Sequence, residues 1–257
     1  MLIDSHCHLT DERLKDHADD IVAALKQDGL EKVVTIGTDL KSSYECVRIA
    51  KKNPSVYATV GIFPSDACAL EEDPCDELLA LSREEKVVAI GEIGLDYHYD
   101  DDKEKQQYWL DRQLSLVGAA DLPVVFHIRD AYEDVWGLVR AHKNDLKRGG
   151  VLHCYSGSYE YARQFLDLGF YVSFSGTVTF KNAARAPECA VRLPLNRILI
   201  ETDSPYLAPV PLRGTLNEPK NVLFTARKIA ELRGISEEEL ADATTQNAYD
   251  VFFKMKK

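Results

Sequence analysis

One pattern constrains this chain more than any other. A short apolar run, rich in β-branched residues, is followed by a turn and then by an amphipathic helical stretch. The unit recurs eight times, with runs beginning near Leu2, Lys32, Val56, Val87, Pro123, Val151, Phe170 and Arg197. The spacing averages about 28 residues, enough for a strand and a crossover helix. Strands that alternate with helices form a parallel sheet. Eight such units in roughly 250 residues are what a (β/α)8 TIM barrel requires. The runs Lys32–Ile36, Val87–Ile90 and Ile198–Ile200 are almost wholly apolar, as strands covered on both faces must be. No Pro/Gly/Ser-rich linker interrupts residues 1–257, so the expectation is a single α/β barrel domain with an additional C-terminal helix. That last helix carries its own start signal: Ser236-Glu237-Glu238-Glu239 reads as a capping box, and Gly234 suits the end of the helix before it. Asp100-Asp101-Asp102 places negative charge where another helix begins.

Composition narrows the class of function. Lys and Arg total 31 against 42 Asp and Glu, a net charge of −11, which argues against coating nucleic acid or an anionic membrane by bulk charge. It leaves room for a site where metal ions supply the positive charge. No apolar run approaches the ~20 residues of a membrane helix, and Met1-Leu2-Ile3-Asp4 has no basic segment before an apolar stretch. The six cysteines form no C-x-x-C pair and read as reduced thiols in a cytoplasmic protein. Nothing in the sequence calls for an obligate protein partner.

The chemistry-bearing residues cluster at strand ends. His6 and His8 follow strand one, Glu92 ends strand four, His127 follows strand five, His153 follows strand six and Asp203 ends strand eight. In a barrel all strand C-terminal ends open on one face, where active sites sit. Side chains alternate along a strand, so His6 and His8 point one way and Cys7 the other; Asp4 shares their parity one layer deeper. A carboxylate such as Glu92 after an apolar strand is costly to bury unless it is paired or metal-bound. Asp96 reads as the cap of the following turn, which leaves Glu92 free to bridge. His127 and His153 occupy the same register in their strands, which favours ligands over isolated core histidines. Asp203 is either a ligand or the cap of a turn before Pro205, and Glu201 below it suits orienting a ligand. Imidazole and carboxylate donors suit Zn, Mn, Fe or Co, whereas Mg favours oxygen and water. Four histidines and two carboxylates exceed what one ion with an open position takes. Two divalent ions bridged by Glu92 account for all six, and such a pair suits displacement at phosphorus.

Five ordered segments then carry a resemblance. Asp4-Ser5-His6-Cys7-His8-Leu9, Gly91-Glu92-Ile93-Gly94-Leu95-Asp96-Tyr97, His127-Ile128-Arg129-Asp130-Ala131, His153-Cys154-Tyr155-Ser156-Gly157 and Glu201-Thr202-Asp203-Ser204-Pro205-Tyr206-Leu207 resemble the signature segments of the TatD-like deoxyribonuclease family, part of the amidohydrolase superfamily. The likeness runs from residue 4 to about residue 252. It implies metal-dependent 3′-to-5′ hydrolysis of DNA ends or single strands, supported by Mg or Mn. It further implies that His6, His8 and Asp203 hold one metal, that His127 and His153 hold the other, that Glu92 bridges, and that Asp203 takes the proton of the attacking water. Pro209–Pro219 resembles a further family segment, but Leu212 and Thr215 stand where members often have His and a basic residue.

Substrate contacts are expected from Arg129, two residues past His127, from Arg213 in the loop after strand eight, and from Asn217 and His98. A guanidinium suits phosphate because it binds in a two-pronged fashion. Solvated loop residues are the alternative for Arg213 and His98, and shaping the turn before Pro219 is the alternative for Asn217. Tyr206 either stacks on a base or packs beside Pro205, and Tyr108 and Trp109 are expected in the core. The ligand set does not separate phosphorus from carbon electrophiles. Hydrolysis of a small ester, lactone, amide or aminoacyl bond is therefore the alternative activity, and a non-enzymatic metal-stabilised scaffold is the third.

Overall fold

Each apolar run forms a strand in the computed structural model, which describes residues 1–257. The strands are β1 (Leu2–Cys7), β2 (Leu30–Thr35), β3 (Val56–Val60), β4 (Val87–Asp96), β5 (Val124–Arg129), β6 (Gly150–Leu152), β7 (Tyr171–Phe174) and β8 (Ile198–Ile200). They pair in chain order, every neighbour parallel. The sheet curls until its edges meet: a bridge joins Cys7 to Ser204, and the Ser5 hydroxyl donates to the Ile200 carbonyl at 3.0 Å. This is the (β/α)8 TIM barrel that the repeat required. No helix is long and apolar enough to cross a membrane.

The helices are α1 (Ala18–Ala24), α2 (Leu40–Lys52), α3 (Pro64–Cys68), α4 (Cys75–Ser82), α5 (Lys103–Ala120), α6 (Tyr132–Ala141), α7 (Tyr159–Leu166), α8 (Arg185–Arg192), α9 (Val222–Arg233) and the additional C-terminal α10 (Glu237–Val251). Their ends follow local chemistry. Asp102 caps α5 through the Lys105 amide, and Ser236 caps α10 through the Glu239 amide. Gly234 ends α9 with a left-handed φ of 67°, a conformation that glycine adopts without steric cost.

Two apolar clusters hold the barrel. The larger, of 53 buried residues, lies mostly between strands and helices. The smaller, of 15, gathers Ile3, Val34, Val88, Val125, Val151 and Leu199 from the strands with Tyr249, Val251, Phe252 and Met255 from the end of the chain. The C-terminal segment thus plugs the end of the barrel where the strands begin, and the buried histidines and carboxylates gather at the end where they finish. Trp109 is buried as expected, whereas Tyr108 is 57% exposed and does not belong to the core. Adjacent helix residues point about 100° apart, so only one of this pair faces the sheet.

Candidate metal centre

The expected ligands do meet. Along β1 the pairing with β2 shifts between Asp4 and Cys7, and this irregularity resets the alternation. Ile3 enters the interior cluster, yet His6 also faces inward, while Cys7 packs in the outer cluster. Asp4 is therefore not a deeper member of the histidine row. Its carboxylate accepts from the Thr202 amide at 2.9 Å and the Thr202 hydroxyl at 2.6 Å, fastening β1 to the segment after β8. Burial outweighs these bonds and pushes the Asp4 carboxyl up to about 8.

Glu92 does not end its strand. β4 runs four residues further, to Asp96. Pairing with β5 is irregular between Ile90 and Ile93, a bulge-like shift of the kind that re-aims side chains near active sites. Gly94 permits the close approach that follows: a Cβ there would lie 1.8 Å from the His127 carbonyl oxygen, and its φ is 153°. Glu92 is thereby set between two groups of side chains. Its Oε2 lies 3.4 Å from His6 Nε2, and its Oε1 lies 2.9 Å from His127 Nδ1 and 3.3 Å from His153 Nε2. On the first side, His8 Nε2 is 3.1 Å from Asp203 Oδ1, and His6 Nε2 is 3.6 Å from the same oxygen. The His6 and His153 rings stack at 3.6 Å between centroids, which joins the two halves.

The donor set fits cations. His6 Nε2 and His8 Nε2 face each other at 3.2 Å, a contact in which two lone pairs repel unless a proton or a cation lies at hand. His6 Nδ1 and Glu201 Oε2 are buried without a hydrogen-bond partner. His6, His8 and Asp203 present ligand atoms within 4.8 Å of one another, and so do Glu92, His127 and His153. Burial works to raise the Glu92 carboxyl, but His153 and His6 beside it hold it well below the usual range. Asp203 is likewise lowered, by His153 and His8 against burial. These shifts favour the ionised form that metal ligation needs.

Carboxylates orient the histidines from behind. Glu201 accepts from His153 Nδ1 at 2.8 Å and from the Cys154 amide at 2.7 Å. Asp96 Oδ2 lies 3.0 Å from His127 Nε2, opposite the nitrogen that faces Glu92. From the sequence alone, Asp96 reads only as a cap. It does accept from the His98 amide at 2.9 Å, but its second oxygen belongs to the centre. The signal was present, since Asp96 shares the parity of Glu92 four residues later.

The sequence matches the family model described as TatD related DNase over residues 3–253. The chain belongs to this family. Among its relatives, the uncharacterized metal-dependent hydrolase YabD of Bacillus subtilis (strain 168) is 39% identical over 98% of this chain and 99% of its own. The uncharacterized metal-dependent hydrolase YcfH of Escherichia coli (strain K12) is 40% identical over 98% and 95%. The crystal structure of YjjV, a TatD homolog from Escherichia coli K12, superposes with a TM-score of 0.89 at 31% identity and 98% coverage of both chains.

The centre of this TatD-family barrel opens into a cleft of about 1120 Å³ whose walls include His8, Phe63, Asp66, Tyr206 and the start of α2. The expected substrate contacts are not brought into it. Asn217 is fully buried, and its amide nitrogen donates to the Thr202 and Tyr206 carbonyls at 3.0 and 2.6 Å. It clamps the segment that carries Asp203 and presents nothing to the cleft. Arg213 lies on the surface with its guanidinium 3.8 Å from the centre of the Phe180 ring. Arg129, at the end of β5, sits 5.5 Å from the Tyr99 ring. His98 is exposed, 3.8 Å from Asp130. The cations that do line the cleft are Lys15, Lys41 and Arg48, which no local motif distinguished from solvated helix residues.

Proposed function

We propose that the protein is a metal-dependent phosphodiesterase that removes nucleotides from the 3′ ends of DNA, single strands above all. The observation that carries the reading is the position of Glu92, one oxygen toward His6 and the other toward His127 and His153. That arrangement suits two divalent ions: His6, His8 and Asp203 around one, His127 and His153 around the other, and Glu92 shared. Mg or Mn is the proposed activator, with Zn, Fe or Co compatible with the imidazole donors. When bound, such ions supply positive charge to a phosphate and lower the pKa of a water.

The remaining work falls to the chain's own residues. Asp203 is the most exposed of the carboxylates around the centre, at 13% of its side chain against 3% for Glu92. It is ionised and faces the cleft, so it is placed to take a proton from an attacking water. Glu201 and Asp96 hold His153 and His127 in one ring orientation. The cleft, of about 1120 Å³, is large enough to take a few linked nucleotides.

Labelled single-stranded DNA incubated with the protein and Mg or Mn, then with chelator, tests this. Laddering from the 3′ end that chelation stops is expected. Silence on DNA and RNA beside turnover of small esters or lactones would overturn it. Asp203→Asn is expected to abolish hydrolysis while circular dichroism and melting temperature stay near those of the parent; unchanged turnover with metal bound removes Asp203 from the proton transfer.

A further inference from the structure

We infer that Tyr206 is a stacking platform for the base of one of the two nucleotides joined by the phosphate at the metal centre, an inference that rests on the phosphodiesterase reading above. Tyr206 follows Asp203 by three residues and is tied to it, its amide donating to the Asp203 carbonyl at 2.9 Å. Its own carbonyl accepts from Asn217 at 2.6 Å. The phenol donates to Asp11 Oδ2 at 2.9 Å, and the Arg13 guanidinium lies 4.3 Å from the ring centre. Arg13 is in turn fixed to Asp11 by bonds of 3.0 and 3.1 Å. The ring is thus held through its backbone, its hydroxyl and one face.

A side chain held this firmly is nonetheless 46% exposed, and it lines the cleft that contains the centre. Its ring is 5.8 Å from the His8 imidazole at 84°, so a group stacked on it lies beside the His8 half of the ligand set. Tyr44, Tyr99 and Tyr108 are at least as exposed, so exposure alone does not single out Tyr206; its fixed ring beside His8 does. A substrate with a flat aromatic heterocycle next to a phosphate suits that placement. Stacking on aromatic side chains is the general means of gripping single-stranded bases without selecting among them. A ring already fixed in one rotamer loses little further entropy when the base arrives. With the hydroxyl committed to Asp11 and one face covered by Arg13, the opposite face is what remains to meet substrate. On the opposite flank Phe63 contacts His127 edge-on at 4.7 Å between ring centres, so an aromatic residue borders each half of the centre.

The test uses Mn-loaded protein and single-stranded oligodeoxynucleotides with a cleavage-resistant phosphorothioate linkage, carrying 2-aminopurine at the terminal or the penultimate position. Quenching of one of the two probes is expected with the parent and with Tyr206→Phe, and its loss is expected with Tyr206→Leu and Tyr206→Ala. On cleavable DNA, KM is expected to rise about tenfold in Tyr206→Leu with kcat within about twofold, the size expected for one lost stack. That difference should vanish on substrate abasic at the quenched position. Metal content and melting temperature serve as the folding control, and Tyr206→Leu keeps more of the packing volume if Tyr206→Ala does not fold. Tyr206→Leu protein with full metal and unchanged quenching and KM overturns the platform while leaving the phosphodiesterase intact. Parent protein that cleaves no DNA overturns both.

Discussion

At the scale of single residues, the centre depends on side chains and glycines that no ligand count includes. Asp96 lies behind His127 at 3.0 Å, and Glu92 lies in front of it at 2.9 Å. A histidine fixed on both nitrogens presents its ligand atom in one direction. Asp96→Asn is therefore expected to weaken metal binding by about 10- to 100-fold, read by calorimetric titration, and to leave Glu201–His153 undisturbed. Equal affinity in the variant would mean that His127 is held by its strand alone. Gly94 acts through backbone. With a Cβ 1.8 Å from the His127 carbonyl, Gly94→Ala must push β4 and β5 apart where the centre is built. Overpacking of this kind costs about 1–3 kcal/mol and sometimes more. A lowered melting temperature together with reduced metal content is expected; an unchanged melting temperature would show that the two strands are not in contact there.

At the scale of elements, the starts of strands were legible and their ends were not. A start is marked by a change from polar turn to apolar run, which composition records directly. The end of β4 lies hidden in Gly91-Glu92-Ile93-Gly94, because glycines that read as a turn here serve close packing against β5 within a continuing strand. The phase of β1 was hidden for a related reason: the shift between Asp4 and Cys7 comes from pairing with β2, which one strand's sequence does not record. His6 and His8 were nonetheless identified because their spacing of two holds on the far side of the shift. Contacts between helices were the least legible. His142 lies in no sequence motif, yet it follows α6 and bridges to Asp111 of α5 at 2.8 Å and to Asp145 at 2.9 Å. Burial works against its charge, but the two carboxylates raise its pKa above 6.5. A histidine whose pKa is higher folded than unfolded stabilises fully below the unfolded value, and that stabilisation is lost as pH rises through the folded one. The melting temperature of His142→Gln should accordingly fall furthest below the parent's near pH 5.5 and approach it by pH 9. A gap that widens with pH would mean that the imidazole acts while neutral.

For the whole molecule, the distribution of polarity decides what the barrel can grip. The interior is divided along its axis: an apolar plug completed by Phe252 and Met255 at one end, histidines and carboxylates at the other. The eightfold repeat made this architecture legible, because only strand C-terminal ends could gather six such residues. The lining of the cleft is less legible: Arg129, Arg213, Asn217 and His98 lie near motifs along the chain, whereas the cleft extends sideways over α2. The cleft carries three cations, Lys15, Lys41 and Arg48. Two of these are already paired, Lys15 with Glu12 and Arg48 with Glu45, on a chain of net charge −11. On the proposed nuclease reading, protein cations therefore neutralise few phosphates beyond the one at the centre. Each phosphate neutralised on a single strand contributes a slope of about −0.7 to log affinity against log salt. One to three contacts give a slope between about −0.7 and −2 by that rule, measured as log(1/KM) against log[KCl] at saturating Mg or Mn. A shallow slope, with little dependence on length once a few nucleotides fill the cleft, is what the proposed recognition by ions and an aromatic face at a chain end predicts. A slope near −5 would require an extended basic track, which this acidic surface does not provide, and would move the binding site away from the cleft.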